Sequence, residues 1–192
     1  AGVKISVIVF SPVSPDSYDP AVAQDLTLTV SDLDSVERVA AAATRTGHIG
    51  RFHVEIDTGM GRSGFDWRRV AEWGPDLADR ASPASVWEGC YTHFHSADLE
   101  DDGPTRAQWE SFNSALKRLE PEKGSLIHSC NAAAAMRYPT FAADAVRPGI
   151  FLYGGCVGKG VAPPEEAARV RARVTLIRDV PESTTLGYGA TY

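Results

Sequence analysis

The densest chemistry in this chain lies at His53-Val54-Glu55-Ile56-Asp57-Thr58-Gly59-Met60-Gly61-Arg62-Ser63-Gly64. A base, two carboxylates and a guanidinium are carried on one short segment. Its first half alternates polar and apolar residues with the period of a strand. His53, Glu55 and Asp57 fall on one face, Phe52, Val54 and Ile56 on the other. The glycines Gly59, Gly61 and Gly64 then break the strand and turn the backbone, leaving Arg62 just beyond its C-terminal end. Ionisable groups inside β structure are costly unless paired, so such a strand is a candidate site. An edge strand with one wet face and a glycine turn explains the same pattern equally well.

Further polar side chains recur at the ends of predicted strands: His93, His128 with Asn131, and Arg147. The elements that would position them alternate along the chain. Ile5 to Phe10 is apolar and β-branched, and Leu26 to Val30 is a second short strand. Ser31 offers a helix N-cap, with Asp34 as a weak capping-box partner, and Leu33, Val36, Val39 and Ala40 keep helical spacing up to Gly47. After the polar-striped strand, a helix runs through Trp67, Val70 and Trp73. Gly89 to Phe94 reads as a strand, and Trp109, Phe112, Leu116 and Leu119 mark the next helix. Leu126 to His128 leads into Asn131 and an alanine-rich helix, and Val146 to Tyr153 reads as a last core strand.

Strand-helix alternation means parallel strands with crossover helices, so the class is α/β. Polar groups gathered at C-terminal strand ends point to a (β/α)8 barrel. A doubly wound open sheet would favour a glycine-rich turn after its first strand, which is absent here.

The chain has 192 residues, 43% of them hydrophobic and 23% charged, the balance of a globular domain with a sizeable core. A net charge of -6 and no basic cluster argue against nucleic acid as a partner. No apolar run is long enough to span a bilayer. Cys90, Cys130 and Cys156 are far apart and form no Cys-x-x-Cys pair, so neither a metal site nor a disulfide framework is expected. Reduced thiols of a cytoplasmic protein are the plain reading.

A complete barrel needs about 250 residues, and only six strand-helix units are visible before residue 160. From Arg169 to Arg178 the residues Val170, Ala172, Val174 and Leu176 alternate with Arg171, Arg173, Thr175 and Ile177. That is the pattern of an antiparallel strand entering a β-rich region. The expected division is therefore a partial barrel over 1–163 and the beginning of a C-terminal β domain over 164–192, as in an internal piece of a longer polypeptide.

Five segments in order carry a resemblance: Glu55 to Arg62; Tyr91-Thr92-His93-Phe94 with Ala97-Asp98; His128-Ser129-Cys130-Asn131-Ala132-Ala133; Val146 to Ile150 with Tyr153-Gly154; and Gly187-Tyr188-Gly189-Ala190-Thr191-Tyr192. Together they resemble alanine racemase, an enzyme with an N-terminal (β/α)8 barrel, over essentially the whole chain. The resemblance implies pyridoxal 5′-phosphate as cofactor, alanine as substrate, interconversion of its L and D forms by two opposed bases (D-alanine supply for peptidoglycan), and a homodimer with shared active sites.

It also implies roles for residues. Arg147 would face the pyridine nitrogen of the cofactor, and Asn131, Ala132, Gly149 and Ile150 would meet its phosphate. Ala132 stands where the family often has a serine. Tyr188 would be the catalytic tyrosine, acting in the neighbouring subunit's site, and His93 would bridge it to Arg147. Arg62 would contact cofactor and substrate carboxylate. Glu55 stands where many members carry a carbamylated lysine, and is expected to position Arg62 by pairing with it. No metal is implied. Lys4, Lys117, Lys123 and Lys159 all lack the context of the family's cofactor lysine, which is expected on strands upstream of residue 1. A broader amino-acid racemase, a non-catalytic cofactor-binding barrel and an inactive fragment are the alternatives.

Overall fold

The computed structural model describes residues 4–185. Its centre is a parallel sheet of β1 (Val7–Val9), β2 (Leu26–Val30), β3 (Gly50–Asp57), β5 (Ser85–Tyr91), β6 (Leu126–Asn131) and β7 (Ala145–Arg147), while β4 (Phe65–Asp66) pairs with the end of β3. Every one of these pairings is parallel. Apart from β4, spatial order follows chain order, so the chain winds in one direction without the reversal that makes a switch point in a doubly wound sheet. Helices α1 (Tyr18–Ala23), α2 (Leu33–Thr46), α3 (Val70–Arg80), α4 (Gly103–Leu119) and α5 (Ala132–Arg137) return the chain between strands. This is the curl of a partial (β/α)8 barrel, as the strand-helix alternation predicts.

The two faces of β3 show how the sequence builds it. Phe52, Val54 and Ile56 pack with Val36 and Val39 of α2, Val70 and Trp73 of α3 and Phe112 of α4, in the core beneath the helices. Their alternates His53 and Glu55 are also buried, together with Thr27, Thr29, Tyr91 and His128. These six form the polar lining of the barrel lumen. An inward-facing polar layer is tolerable only if its members satisfy one another.

Several elements depart from the sequence expectation. Asp32, not Ser31, caps α2: its carboxylate accepts from the Ser35 amide at 2.6 Å, and Ser35 completes the capping box. Ser31 is thereby free to donate to Glu55 at 3.1 Å. The last strand stops at Arg147 because Pro148 has no N–H to continue the ladder, and Ile150–Tyr153 forms a 3-10 turn instead. The short helix α1 was not anticipated. Residues 169–178 form no strand: Val170 is fully exposed and Ile177 is 87% exposed, and no strand among the described residues neighbours them.

A candidate active site at the C-terminal mouth of the barrel

Parallel strands aim their C-terminal ends at one mouth of the barrel, where Arg147, His93 and Asn131 come together. Arg147, at the end of β7, turns into the lumen. Its Nη2 donates to the carbonyls of Thr92 (2.6 Å) and Ser129 (3.1 Å), and its Nη1 donates to Nδ1 of His128 (2.7 Å). The guanidinium carbon lies 4.9 Å from the ring centre of Tyr91 and 5.6 Å from that of Phe10. No acceptor in this set is a carboxylate. Burial pulls Arg147 down to about 10, which still leaves it a cation at neutral pH. A guanidinium drawn out of water is usually paired with an anion; here no carboxylate bonds to it, and Glu55 acts on it only through space.

His93 follows β5 and brings its Nδ1 to 3.5 Å from Nη2 of Arg147. Burial first, then the neighbouring cations Arg147 and Arg62, lower it to about 4, so it is a neutral base at pH 7. Arg62 is exposed in the loop after β3, near enough to act electrostatically on His93, Tyr91 and Arg147.

Glu55 does not ion-pair with Arg62 in this structure. Its carboxylate lies inside the lumen and accepts from Ser31 (3.1 Å) and Ser63 (2.7 Å), whereas Arg62 points outward from the next residue. Asp57 accepts from the amides of Gly59 (2.9 Å) and Gly61 (3.1 Å) and so closes the turn that presents Arg62. Gly64 completes that turn at φ +112°, where a Cβ would lie 2.8 Å from the Asp57 nitrogen.

Asn131 ends β6 and caps α5. Its side-chain oxygen accepts from the Ala134 amide (3.0 Å) and its nitrogen donates to the Phe94 carbonyl (3.2 Å), which joins two strand-end loops. With Ala132, Gly149, Ile150, His93 and Arg147 it lines one cavity of about 380 Å³. That is the volume of a small-molecule site. None of the chain's four lysines lines it. Tyr188 lies outside the described residues. Among the described residues no group of acidic, histidine and cysteine side chains is arranged to hold a metal.

Sequence reasoning missed Gln108. This buried residue of α4 accepts from the His95 amide (3.0 Å) and donates to the His93 carbonyl (3.1 Å) and the Thr58 hydroxyl (3.2 Å), tying the loops after β3 and β5 together. The available signal was its spacing: Thr105, Gln108, Phe112 and Ala115 share the buried face of α4. The contact between His53 and His128 was missed as well. Both residues were visible on strands, but not that their rings would meet.

The sequence profile described as "Alanine racemase, N-terminal domain" matches residues 1–157. The chain is 38% identical to the alanine racemase of Desulforamulus reducens over 206 aligned positions, covering all of this chain and 53% of that protein. It is 33% identical to that of Methanococcus maripaludis, again covering all of this chain and 53% of the relative. The solved alanine racemase of Clostridium difficile 630 superimposes with a TM-score of 0.81 at 25% identity, over the whole of this chain and 51% of that one. The chain thus spans about half the length of the curated relatives it matches.

Proposed function

We propose that this chain, which belongs to the alanine racemase N-terminal domain family, forms the cofactor-holding wall of a pyridoxal 5′-phosphate-dependent racemase that interconverts L- and D-alanine. The observation that carries the reading is Arg147: a partly buried guanidinium at the C-terminal mouth, hydrogen-bonded to neutral acceptors alone. An arginine partner to the pyridine nitrogen is one of the ways proteins tune this cofactor. The cavity beside it has a suitable volume, and nothing lies within 4 Å of where a Cβ of Gly149 would be, so an anion has free approach to that backbone.

When bound, pyridoxal phosphate supplies an electron sink for the pair left at the substrate's α-carbon. The chain's own residues do the rest. Arg147 would donate to the ring nitrogen and, because a guanidinium does not give up its proton, would leave that nitrogen unprotonated. Gly149 and Ile150 would offer backbone amides to the phosphate, together with Asn131 and Ala132 of the same cavity. Arg62 holds the substrate carboxylate. Glu55 positions Arg62 through Ser63, the adjacent residue. Tyr188 moves the proton at one face of the α-carbon. A phenol near pKa 10 needs help to ionise at neutral pH, and the cations Arg147 and Arg62 around His93 favour its phenolate. The opposed base is the family's cofactor lysine.

With this reading go a homodimer sharing active sites, a cytoplasmic location, D-alanine supply to the cell wall, and a C-terminal β domain entered from residue 164. The alternative is a cofactor-binding barrel without catalysis. Exchange of the alanine α-proton in D2O, followed by proton NMR in the protein that carries this segment, separates the two. The racemase reading expects exchange with appearance of the other enantiomer, reduced about 10²- to 10³-fold by Arg147→Leu. Cofactor binding without exchange favours the second reading. Exchange that survives Arg147→Leu intact contradicts the role given to Arg147.

A further inference from the structure

The lumen holds a second histidine pair that no step above uses. Nε2 of His128 lies 3.0 Å from Nδ1 of His53, and both rings are buried. On its other side, Nδ1 of His128 is 2.7 Å from Nη1 of Arg147. We propose that His53 and His128 form a one-way hydrogen-bond chain that fixes the guanidinium of Arg147 without a carboxylate, with His53 as its positioning residue.

The direction of the chain follows from the donor inventory. Arginine donates and never accepts, so Nδ1 of His128 must present a lone pair. A neutral imidazole with a bare Nδ1 carries its proton on Nε2. That proton points at Nδ1 of His53, which must therefore also be bare, and the His53 proton resides on Nε2. Three groups are set by one constraint: the fixed donor at Arg147 dictates both tautomers. Protonating either ring on Nδ1 would turn a donor against a donor and place a second cation inside the barrel.

The surrounding fold is built for this arrangement. Gly89 makes room for the His53 ring: a Cβ there would lie 2.7 Å from His53 Cε1 and 2.2 Å from the Leu126 carbonyl oxygen. The β3–β5 register shifts between Phe52 and His53, at the same position. The His128 ring stacks on Tyr91 with centroids 5.0 Å apart and planes 11° apart, while Phe10 meets it edge-on. Tyr91 is itself held, because Thr29 donates to the Val9 carbonyl (2.7 Å) and so receives the Tyr91 hydroxyl (3.1 Å).

The charged and titratable groups facing the pair are Arg147 from β7, Tyr91 and Glu88 from β5, and Glu55 from β3. Glu88 is already engaged by Arg51 (2.6 Å) and the Thr27 hydroxyl (2.9 Å). Burial outweighs the pull of Glu88 on His53 and lowers it to about 4; burial and then Arg147 lower His128 to about 3.

The chain of bonds is a property of the protein alone, but its purpose rests on the role proposed for Arg147. The two are separated by measuring the tautomers without cofactor. Long-range ¹H–¹⁵N correlation spectra of the full chain should show both His53 and His128 neutral, protonated on Nε2, and unchanged from pH 7.5 down to pH 5.5. His48, an exposed histidine, serves as the solvent-facing reference signal. An Nδ1–H signal from either ring, or titration of either one above pH 5.5, overturns the proposal. His53→Asn, whose side-chain oxygen can replace the lost acceptor, should retain the His128 signal; His53→Leu should shift it and weaken pyridoxal 5′-phosphate binding at least tenfold. Identical cofactor affinity in folded His53→Leu and wild type overturns the positioning role. Failure of the wild-type protein that carries this segment to bind cofactor, with both tautomers as described, removes the racemase reading and leaves the bonded chain standing.

Discussion

Two stretches of this molecule carry the same alternating pattern and end in opposite states. Residues 52–57 alternate apolar and polar side chains and lie in the middle of the sheet, paired on both sides. Residues 169–178 alternate as regularly and lie exposed, without a strand partner among the described residues. Alternation states which faces a strand would have; it does not supply the neighbour whose N–H and C=O groups complete the ladder. β3 has β2 and β5 beside it and helices beneath, so both of its faces are buried and even its polar side is satisfied internally.

Mutagenesis that reads the two stretches against each other gives the largest effect. Phe52→Ala should cost about 3–5 kcal/mol of unfolding free energy, since it opens a cavity in the core under α2 and α3. In the 192-residue chain by itself, Ile177→Ala should stay within about 0.5 kcal/mol, as for a surface substitution away from any contact. Comparable losses in urea titrations would break the comparison, because 169–178 would then be packed in solution.

A smaller effect tests the lumen. Gly89→Ala places a Cβ against both the Leu126 carbonyl and the His53 ring. The expected cost is about 1–3 kcal/mol for overpacking, read as a lower urea midpoint, together with an altered His53 signal in the nitrogen spectrum.

The polar lining also makes stability depend on pH. His53 and His93 are lowered to about 4 and His128 to about 3, each mainly by burial. A histidine in the unfolded chain protonates near 6.5. Between these values the unfolded state binds more protons, so stability rises with pH through the window and is fully present above about 6.5. Acidification from pH 7 toward pH 4 should lower the thermal midpoint progressively, with the dependence diminished in His53→Asn. A midpoint flat from pH 7 to pH 5 contradicts burial of these rings in their neutral form.

The smallest predicted effect concerns the cap of α2. Asp32→Ala should cost about 1 kcal/mol, and Ser31→Ala should leave the cap intact while removing a donor from Glu55.

Much of this architecture was legible from residue types. The strand-helix alternation gave the parallel class, and polar residues at strand ends marked the mouth where Arg147, His93 and Asn131 meet. Local competition was harder to see. Ser31 and Asp32 are both good caps, and the structure shows Asp32 taking the role through its reciprocal bonds with Ser35. Long-range satisfaction was not legible at all: nothing in the sequence says that Glu55 finds two serine hydroxyls in place of Arg62, or that Gln108 reaches across from a helix to His93. Those partners are set by how the strands curl.

The central claim is that Arg147 meets the cofactor as a donor that no carboxylate engages. A crystal structure of the protein with pyridoxal 5′-phosphate tests it most directly. The account predicts the ring nitrogen within hydrogen-bonding distance of the Arg147 guanidinium, with His128 still bonded behind it and the phosphate at Gly149 and Ile150. A cofactor bound with its ring nitrogen facing a carboxylate, or seated away from the lumen, would contradict it.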